Sequence, residues 1–326
     1  MNRWLLRTVS CALPLLVAAS IALAQPAWPS RPIRVVVPFP AGGQLDVVVR
    51  MIAERISPAL GQPVVIETHT GADGNIGAEI VAKSAPDGYT WLATSVPFAT
   101  QISLQPKTLR YDPLRDFVPI ANLGTASFVL VVPESVPVKT LREFIAYAKA
   151  RPGELSYAGT SVGSVTHLST EMFARATGIR MLMVPYAGIP AAMSDLLSGR
   201  TQFMSTGVIA ALPQIKAGKL RPLAILAAHR HPQLPDVPSI VEEGYPDLTV
   251  DTWFGLLAPA GTPPEIVARA NAEVMRALKA PEILKKYEAI GVDPVEPHTP
   301  DAFGAMLKGE IARWGKVIRD ANVKAE

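Results

Sequence analysis

The stretch Ile33-Arg34-Val35-Val36-Val37, followed at once by Pro38-Phe39-Pro40-Ala41-Gly42-Gly43-Gln44-Leu45-Asp46, decides the fold class. A β-branched run of this kind marks a strand buried on both faces, as in a parallel sheet covered by helices. Immediately after the glycines, apolar residues recur at Leu45, Val48, Val49, Ile52, Ile56 and Leu60, which is the spacing of one helix face, and Gly61 ends the pattern. A strand over 64–67, a helix over 75–83, the turn Pro86-Asp87-Gly88 and a strand over 89–94 complete a βαβαβ start. That order predicts an α/β fold with a parallel sheet.

Farther on, the alternation repeats. Strands are predicted at 128–132, 155–158, 181–184, 203–205 and 223–227, with helices at 141–150, 166–176, 190–197 and 212–217. The apolar, aromatic stretch 250–258, with Trp253 and Phe254, reads as a long return strand, and helices follow at 265–278, 281–289 and 300–321. There is no repeat, low-complexity segment or Gly/Ser linker. Two lobes without a linker imply crossover strands, expected near 124–128 and 249–254. The lobes are then expected at 25–125 with 250–326, and at 126–249.

The first 24 residues read as an address. Arg3 and Arg7 supply a positive start, 9–23 is apolar, and Ala22-Leu23-Ala24 has the small-x-small form of a signal-peptide cleavage site. The competing reading, a single-pass anchor, meets a segment that is short for a span and broken by Pro14. Export to the periplasm is the expectation. Cleavage would remove Arg3, Arg7 and the single cysteine, Cys11, leaving 29 basic and 28 acidic residues and neither a disulfide nor a thiol nucleophile. A near-neutral chain without a basic run argues against a nucleic-acid partner. More than one core's worth of chain points to two lobes.

Two stretches carry the chemistry. In the 38–46 loop, Gly42 and Gly43 let backbone approach a ligand, and the helix behind offers unpaired N–H groups with partial positive charge. A carboxylate placed there needs no cationic side chain. A tight strand-to-helix connection would use the same glycines, and the motif alone leaves both readings open. Asp46 either favours the helix dipole, orients the loop or accepts from a ligand. The second stretch is Gly159-Thr160-Ser161-Val162-Gly163-Ser164 before another helix, with hydroxyl and backbone donors together. Two such termini, one in each half, suit a ligand clamped between lobes. Ser95, just past a strand end, and Tyr186, before a helix, are lesser cleft candidates; Gly71-Ala72-Asp73-Gly74-Asn75 reads as mostly structural.

Gly159-Thr160-Ser161-Val162-Gly163 also spells a nucleophile-elbow pentapeptide, and Asp195, Asp236 and His298 supply the chain order of a serine hydrolase. No loop for a positioned base and no oxyanion-hole segment accompany it. Of the histidines His69, His167, His229, His231 and His298, only His167 with Glu171 has helical ligand spacing, which is more often a surface contact than a metal site. No cofactor or metal is expected, and no P-loop or dinucleotide fingerprint is present.

Taken together, several segments resemble one family. They are Pro29-Ser30-Arg31-Pro32-Ile33, Val36-Val37-Pro38-Phe39-Pro40-Ala41-Gly42-Gly43 with Asp46, Gly74-Asn75-Ile76-Gly77, Ala85-Pro86-Asp87-Gly88-Tyr89-Thr90, Leu234-Pro235-Asp236-Val237-Pro238, and Trp253-Phe254-Gly255-Leu256-Leu257-Ala258-Pro259. These resemble the Bug solute-binding proteins of tripartite tricarboxylate transporters, over essentially the whole chain. The resemblance implies a type II periplasmic-binding-protein-like fold of two lobes joined by crossover strands. It also implies a small carboxylate held by backbone amides of 39–43 and by the facing loop; with the cleft candidates above, the expected ligand-binding set is Phe39, Ala41, Gly42, Gly43, Asp46, Ser95, Thr160, Ser161, Gly163, Ser164, His167, Tyr186, Thr206 and Gly207. The implied partner is an inner-membrane permease of the tripartite type; the rival reading is a sensor component that docks on a histidine-kinase ectodomain, and a monomer is expected.

Departures from the family pattern fall at Thr160, Ser161 and Val162, at Ser205-Thr206-Gly207, where an acidic residue is usual, and at Ala187, where a basic one is. The lost carboxylate removes a partner for an ammonium group. The ligand is therefore expected to be a carboxylate without an amine, aromatic or dicarboxylic in kind.

Overall fold

The computed structural model describes residues 28–323, except 161 and 187. The leader with its cleavage site and Cys11, together with Ser161 and Ala187, lies outside the described residues.

The first lobe grows from β1 (Ile33–Val37), with β2 (Val64–Thr68) and β3 (Thr90–Thr94) parallel on either side. Helix α1 (Gln44–Leu60) buries Leu45, Val48, Val49, Ile52 and Ile56 on one face. Its C-cap, Gly61, is left-handed, which ends the helix where the apolar pattern stops. α2 (Asn75–Ala82) and α3 (Val96–Leu104) follow β2 and β3. The sequence reading has no counterpart for α3, which is a nine-residue helix with Pro97 in its first turn.

The lobes are joined by β4 (Phe117–Pro133) and β9 (Asp251–Pro259). β9 closes the first sheet by pairing antiparallel with β3 and with residues 117–127 of β4. From Phe128 onward β4 changes partners and pairs with β7 (Met204–Gly207) and β8 (Leu220–Ile225). The sequence reading expected only 128–132 as this strand. Pro119 and Gly124, which break the β pattern, sit at two register shifts against β9, where a missing donor or a positive φ is tolerated.

The second lobe holds α4 (Leu141–Lys149), β5 (Ser156–Gly159), α5 (Val165–Thr177), β6 (Leu182–Pro185), α6 (Ile189–Leu197) and α7 (Val208–Lys216). β5 and β6 are parallel, and Tyr157 bridges to Phe203 just ahead of β7. Helices α8 (Pro264–Leu278), α9 (Pro281–Ile290) and α10 (Pro300–Asp320) return to the first lobe.

Period-two alternation assigns the strand faces to different cores. Ile33, Val35 and Val37 pack with α1 and α8; Val129 and Val131 pack with α6 and α7. The opposite faces, with Val36, Leu92, Leu130 and Val132, share a third core with Phe144, Phe173, Phe203 and Trp314. The same alternation splits the crossover strands. Phe128 and Thr252 face the space between the lobes, whereas Ser127 and Asp251 pair on the back. There, burial pushes the Asp251 carboxyl up to about 6: Ser127 holds it down in part, Asp293 and Glu310 push it further up, and Arg313 opposes them.

Candidate functional site

A helix leaves its first N–H groups without intrahelical partners, so where several helices begin together they create a donor-rich space. Four do so here. Gly74, just after Asp73, N-caps α2; Ser95 N-caps α3; Ser164 N-caps α5; and Ile189 opens α6. Three of them, at Ser95, Ser164 and Ile189, open onto a cavity of about 260 Å³ between the lobes, and Asp73, just ahead of the fourth, lines it. The first lobe lines it with Asp73, Ser95, Pro97, Thr100 and Gln101, and the second with Val162 and Ile189 and the hydroxyls of Thr160, Ser164 and Thr166. Phe128 and Thr252 of the crossover strands form its floor.

The second glycine-rich loop is tied by hydroxyls. Thr166 Oγ1 accepts the Thr160 N–H at 3.0 Å and lies 2.9 Å from Thr160 Oγ1 and 2.8 Å from Ser164 Oγ. Ser164 Oγ accepts the His167 N–H at 3.3 Å, capping α5. Gly163 N–H donates to His167 Nδ1 at 2.9 Å. An Nδ1 that accepts belongs to a ring unprotonated at that nitrogen, and burial pushes the His167 pKa down, with the Glu171 charge opposing. His167 is therefore a buried positioning residue, not a wall of the cavity. Nor is it paired with Glu171 on the surface, because Glu171 accepts the Tyr157 hydroxyl at 2.7 Å. Gly163 itself has φ +79°, and a Cβ there would stand 2.4 Å from Leu104 Cδ1 of the opposite lobe.

The 38–46 loop is arranged otherwise. Asp46 is buried and turns its carboxylate back on the loop. It accepts the Gly42 N–H at 2.9 Å, while Arg50 Nε reaches both of its oxygens at 3.0 and 2.9 Å. Burial would raise the Asp46 pKa, but the bonds from Arg50 and Gly42 outweigh it and hold the carboxyl below its usual range. Gly43 N–H is taken by Pro40 O at 3.2 Å. None of Phe39, Ala41, Gly42, Gly43 and Asp46 lines the cavity. Instead Phe39 supports the neighbouring 71–75 segment, since a Cβ on Gly74 would lie 3.2 Å from Phe39 Cζ. That segment, read from the sequence as structural, delivers Asp73 to the cavity wall.

Other expected residues lie elsewhere for identifiable reasons. The Tyr186 hydroxyl donates to Asp195 Oδ2 at 2.9 Å, and Arg200 holds the same carboxylate at 3.1 Å. Thr206 is fully buried in β7, its hydroxyl without a hydrogen-bond partner. Gly207 N-caps α7, whose second residue, Ile209, presses on Gly291; a Cβ there would lie 2.0 Å from Ile209 Cγ1. The hydrolase geometry does not form from the described residues. Asp195 is engaged by Tyr186 and Arg200, and His298 Nε2 accepts the Asn122 N–H at 2.9 Å in the first lobe. Among the described residues no group of three or more His, Cys, Asp or Glu could hold a metal ion, and no helix is long and apolar enough to cross a membrane.

A larger groove of about 540 Å³ runs between α5 and α10. No α-helix begins in it, and two of its three cations are paired within the chain, Lys316 with Asp320 at 2.5 Å and Arg313 with Glu310 at 3.3 Å, the third being Arg175. The smaller interlobe cavity is the better candidate for a ligand site.

Two α/β lobes joined by crossover strands that floor a polar cleft define a solute-binding protein. The chain belongs to the tripartite tricarboxylate transporter family of receptors, whose family description matches residues 48–323. It is 40% identical to protein BugT of Bordetella pertussis over 299 residues, covering 91% of each chain. Among solved structures, R. palustris Rpa4515 with adipate is 38% identical with a TM-score of 0.80, over 91% of this chain and 99% of that one. MatC from Rhodopseudomonas palustris with bound malate is 35% identical with a TM-score of 0.76, over 89% and 100%. Members of this family are solute-binding proteins, not enzymes, which removes the reading of Ser161 as a nucleophile.

Proposed function

We propose that this chain captures a small carboxylate without an amino group in the interlobe cleft and presents it to an inner-membrane permease of the tripartite tricarboxylate type. The observation that carries the reading is the opening of three helix N-termini onto one cavity whose described lining has hydroxyls but no cationic side chain. Each such terminus favours an anion by roughly 0.3–1 kcal/mol when exposed, and by up to about 2 kcal/mol when partly buried. Neutral hydroxyls add donors without fixing a counter-charge. The adipate and malate bound by two relatives support a carboxylate as the ligand class.

In this reading Ser95, Thr160, Gly163 and Ser164 contact the ligand, Ser161 joins them, and His167 and Asp46 position the two loops. The 39–43 residues act as a shoulder behind Asp73 and meet the ligand on lobe closure. Thr206 and Gly207 shape the second lobe behind the cleft. The lobes comprise 25–125 with 250–326, and 126–249, supported by the change of β4 partners between Ser127 and Phe128. Residues 1–24 direct export to the periplasm.

Calorimetric titration of the purified chain with succinate, adipate, benzoate, aspartate and glutamate tests the reading. At least one of the first three is expected to bind, with Thr166→Val weakening it. Binding of aspartate or glutamate alone would sink the amine-free assignment, and binding of none of the five would sink carboxylate capture.

A further inference from the structure

Among the described residues lining the cleft, one carries a formal charge, and that charge is negative: Asp73. Among the described residues its carboxylate has neither a hydrogen bond nor an ion pair. A free carboxylate is an odd fixture for a cavity whose helix N-termini favour anions, unless the ligand's two ends differ.

The chain holds Asp73 firmly. Gly74 N–H bonds back to Gly71 O at 3.0 Å, and Asn75 accepts the Tyr111 hydroxyl at 2.8 Å while reaching Gln101 Oε1 at 3.4 Å. Tyr111 is stacked on Phe98 and set edge-on to Phe117, which anchors this network in the core. Gly77 sits against Pro38, where a Cβ would approach to 2.8 Å. Ala72 and Asp73 both adopt left-handed backbone, φ 47° and 52°. Such geometry costs free energy in most residues and is tolerated best by glycine, asparagine and aspartate. The segment is thus fixed from both sides with Asp73 at the cleft.

Across the cavity stand the N-terminus of α5 and the hydroxyls of Thr160, Ser164 and Thr166, the natural seat for an anion. A ligand seated there turns its other end toward the first-lobe wall. We infer that Asp73 is a specificity-determining residue: it accepts a hydrogen bond from a hydroxyl at the far end of the captured carboxylate and rejects a ligand ending there in a second ionised carboxylate. The inference rests on the carboxylate-capture reading above. A hydroxyl donating to a carboxylate makes a charge-assisted bond. Two carboxylates facing each other across the cleft repel even with water nearby, which discriminates by penalising the wrong partner.

The test is calorimetry at pH 7 and low ionic strength on the full exported chain, with two matched pairs of probes: 6-hydroxyhexanoate against adipate, and 4-hydroxybutanoate against succinate. The wild type is expected to prefer the hydroxy acid in the pair whose length suits the cleft. Asp73→Asn should move that ratio toward the dicarboxylate by about tenfold or more. Asp73→Gly should do the same with an unchanged thermal midpoint, because φ 52° suits glycine. Preference of the wild type for the dicarboxylate in both pairs overturns the inference, as does a ratio that moves less than about twofold in both variants. Either result leaves carboxylate capture standing. If none of the four probes binds, this inference fails, and the capture reading fails with it only if benzoate, aspartate and glutamate do not bind either.

Discussion

Both the 38–46 loop and the 159–164 loop follow a buried strand, contain two glycines and lead into a long helix, yet they treat the helix terminus behind them in opposite ways. At α1 the anion is already present. Asp46 in the first turn folds back onto Gly42 and is braced by Arg50, so the dipole and one loop amide are satisfied within the chain. At α5 there is no acidic residue in the first turn, and neutral hydroxyls cross-link a loop whose described residues border the cavity. The difference gives the proposed seat its physical reason: a glycine-rich helix entry is available to a ligand anion where the chain has not supplied its own carboxylate.

The sharpest way to break this comparison is Gly163→Ala. A left-handed φ of 79° and the approach of Leu104 both oppose a side chain, and strain of this kind costs about 1–3 kcal/mol. Affinity for the bound carboxylate, measured by calorimetry, should fall on the order of tenfold to a hundredfold. Unchanged affinity would mean that the second loop is not the seat. Asp46→Ala should act differently. It removes the acceptor of the Gly42 N–H and of the half-exposed Arg50 guanidinium, both within reach of water, so denaturant unfolding should register a loss of about 0.5–1.5 kcal/mol, while affinity in the folded protein changes less than about threefold. A collapse of affinity at intact fold would put the first loop in direct contact with ligand.

The smallest effect is in pH. The folded-state pKa of His167 lies below the ordinary 6.5, so the neutral ring that accepts from Gly163 is fully in place above pH 6.5 and is lost as pH falls through the folded value. Asp46 has a depressed carboxyl pKa, so its contribution is present above 3.8 and is lost only as pH falls through a value lower still. Between these limits the second loop should loosen on acidification while the first stays intact. Affinity should decline by a few-fold as pH is lowered from 6.5, and His167→Gln should flatten that profile. An equally steep decline in His167→Gln would assign the titration to another group.

Much of the fold could be read in the residues. Ile33–Val37 and the apolar face of α1 announce a parallel α/β unit because buried strands and helix faces leave different periods. The first half of β4 was not readable. Pro119 and Gly124 interrupt its pattern, and only pairing with β9 across two register shifts makes 117–127 a strand. At the site, Ser95, Thr160, Gly163 and Ser164 were readable as helix entries and do line the cavity. Asp73, Gln101, Phe128, Ile189 and Thr252 were not, for they come from five separate places along the chain and no local motif joins them. The left-handed pair Ala72-Asp73, flanked by glycines, was the one local signal that could have drawn attention to Asp73.

The sequence alone therefore determined the strand-turn-helix units, the places where helices begin, and through its motifs the family, because these depend on neighbours within a few residues and on the spacing of apolar side chains. Tertiary structure alone decided which helix entries share a cavity, that the carboxylate of Asp46 turns inward, and that the carboxylate of Asp73 stands at the cleft with no partner among the described residues. Those outcomes depend on which groups meet across the lobes, and a helix terminus or a carboxylate acquires its role only from the charge or donor that the rest of the fold sets opposite it.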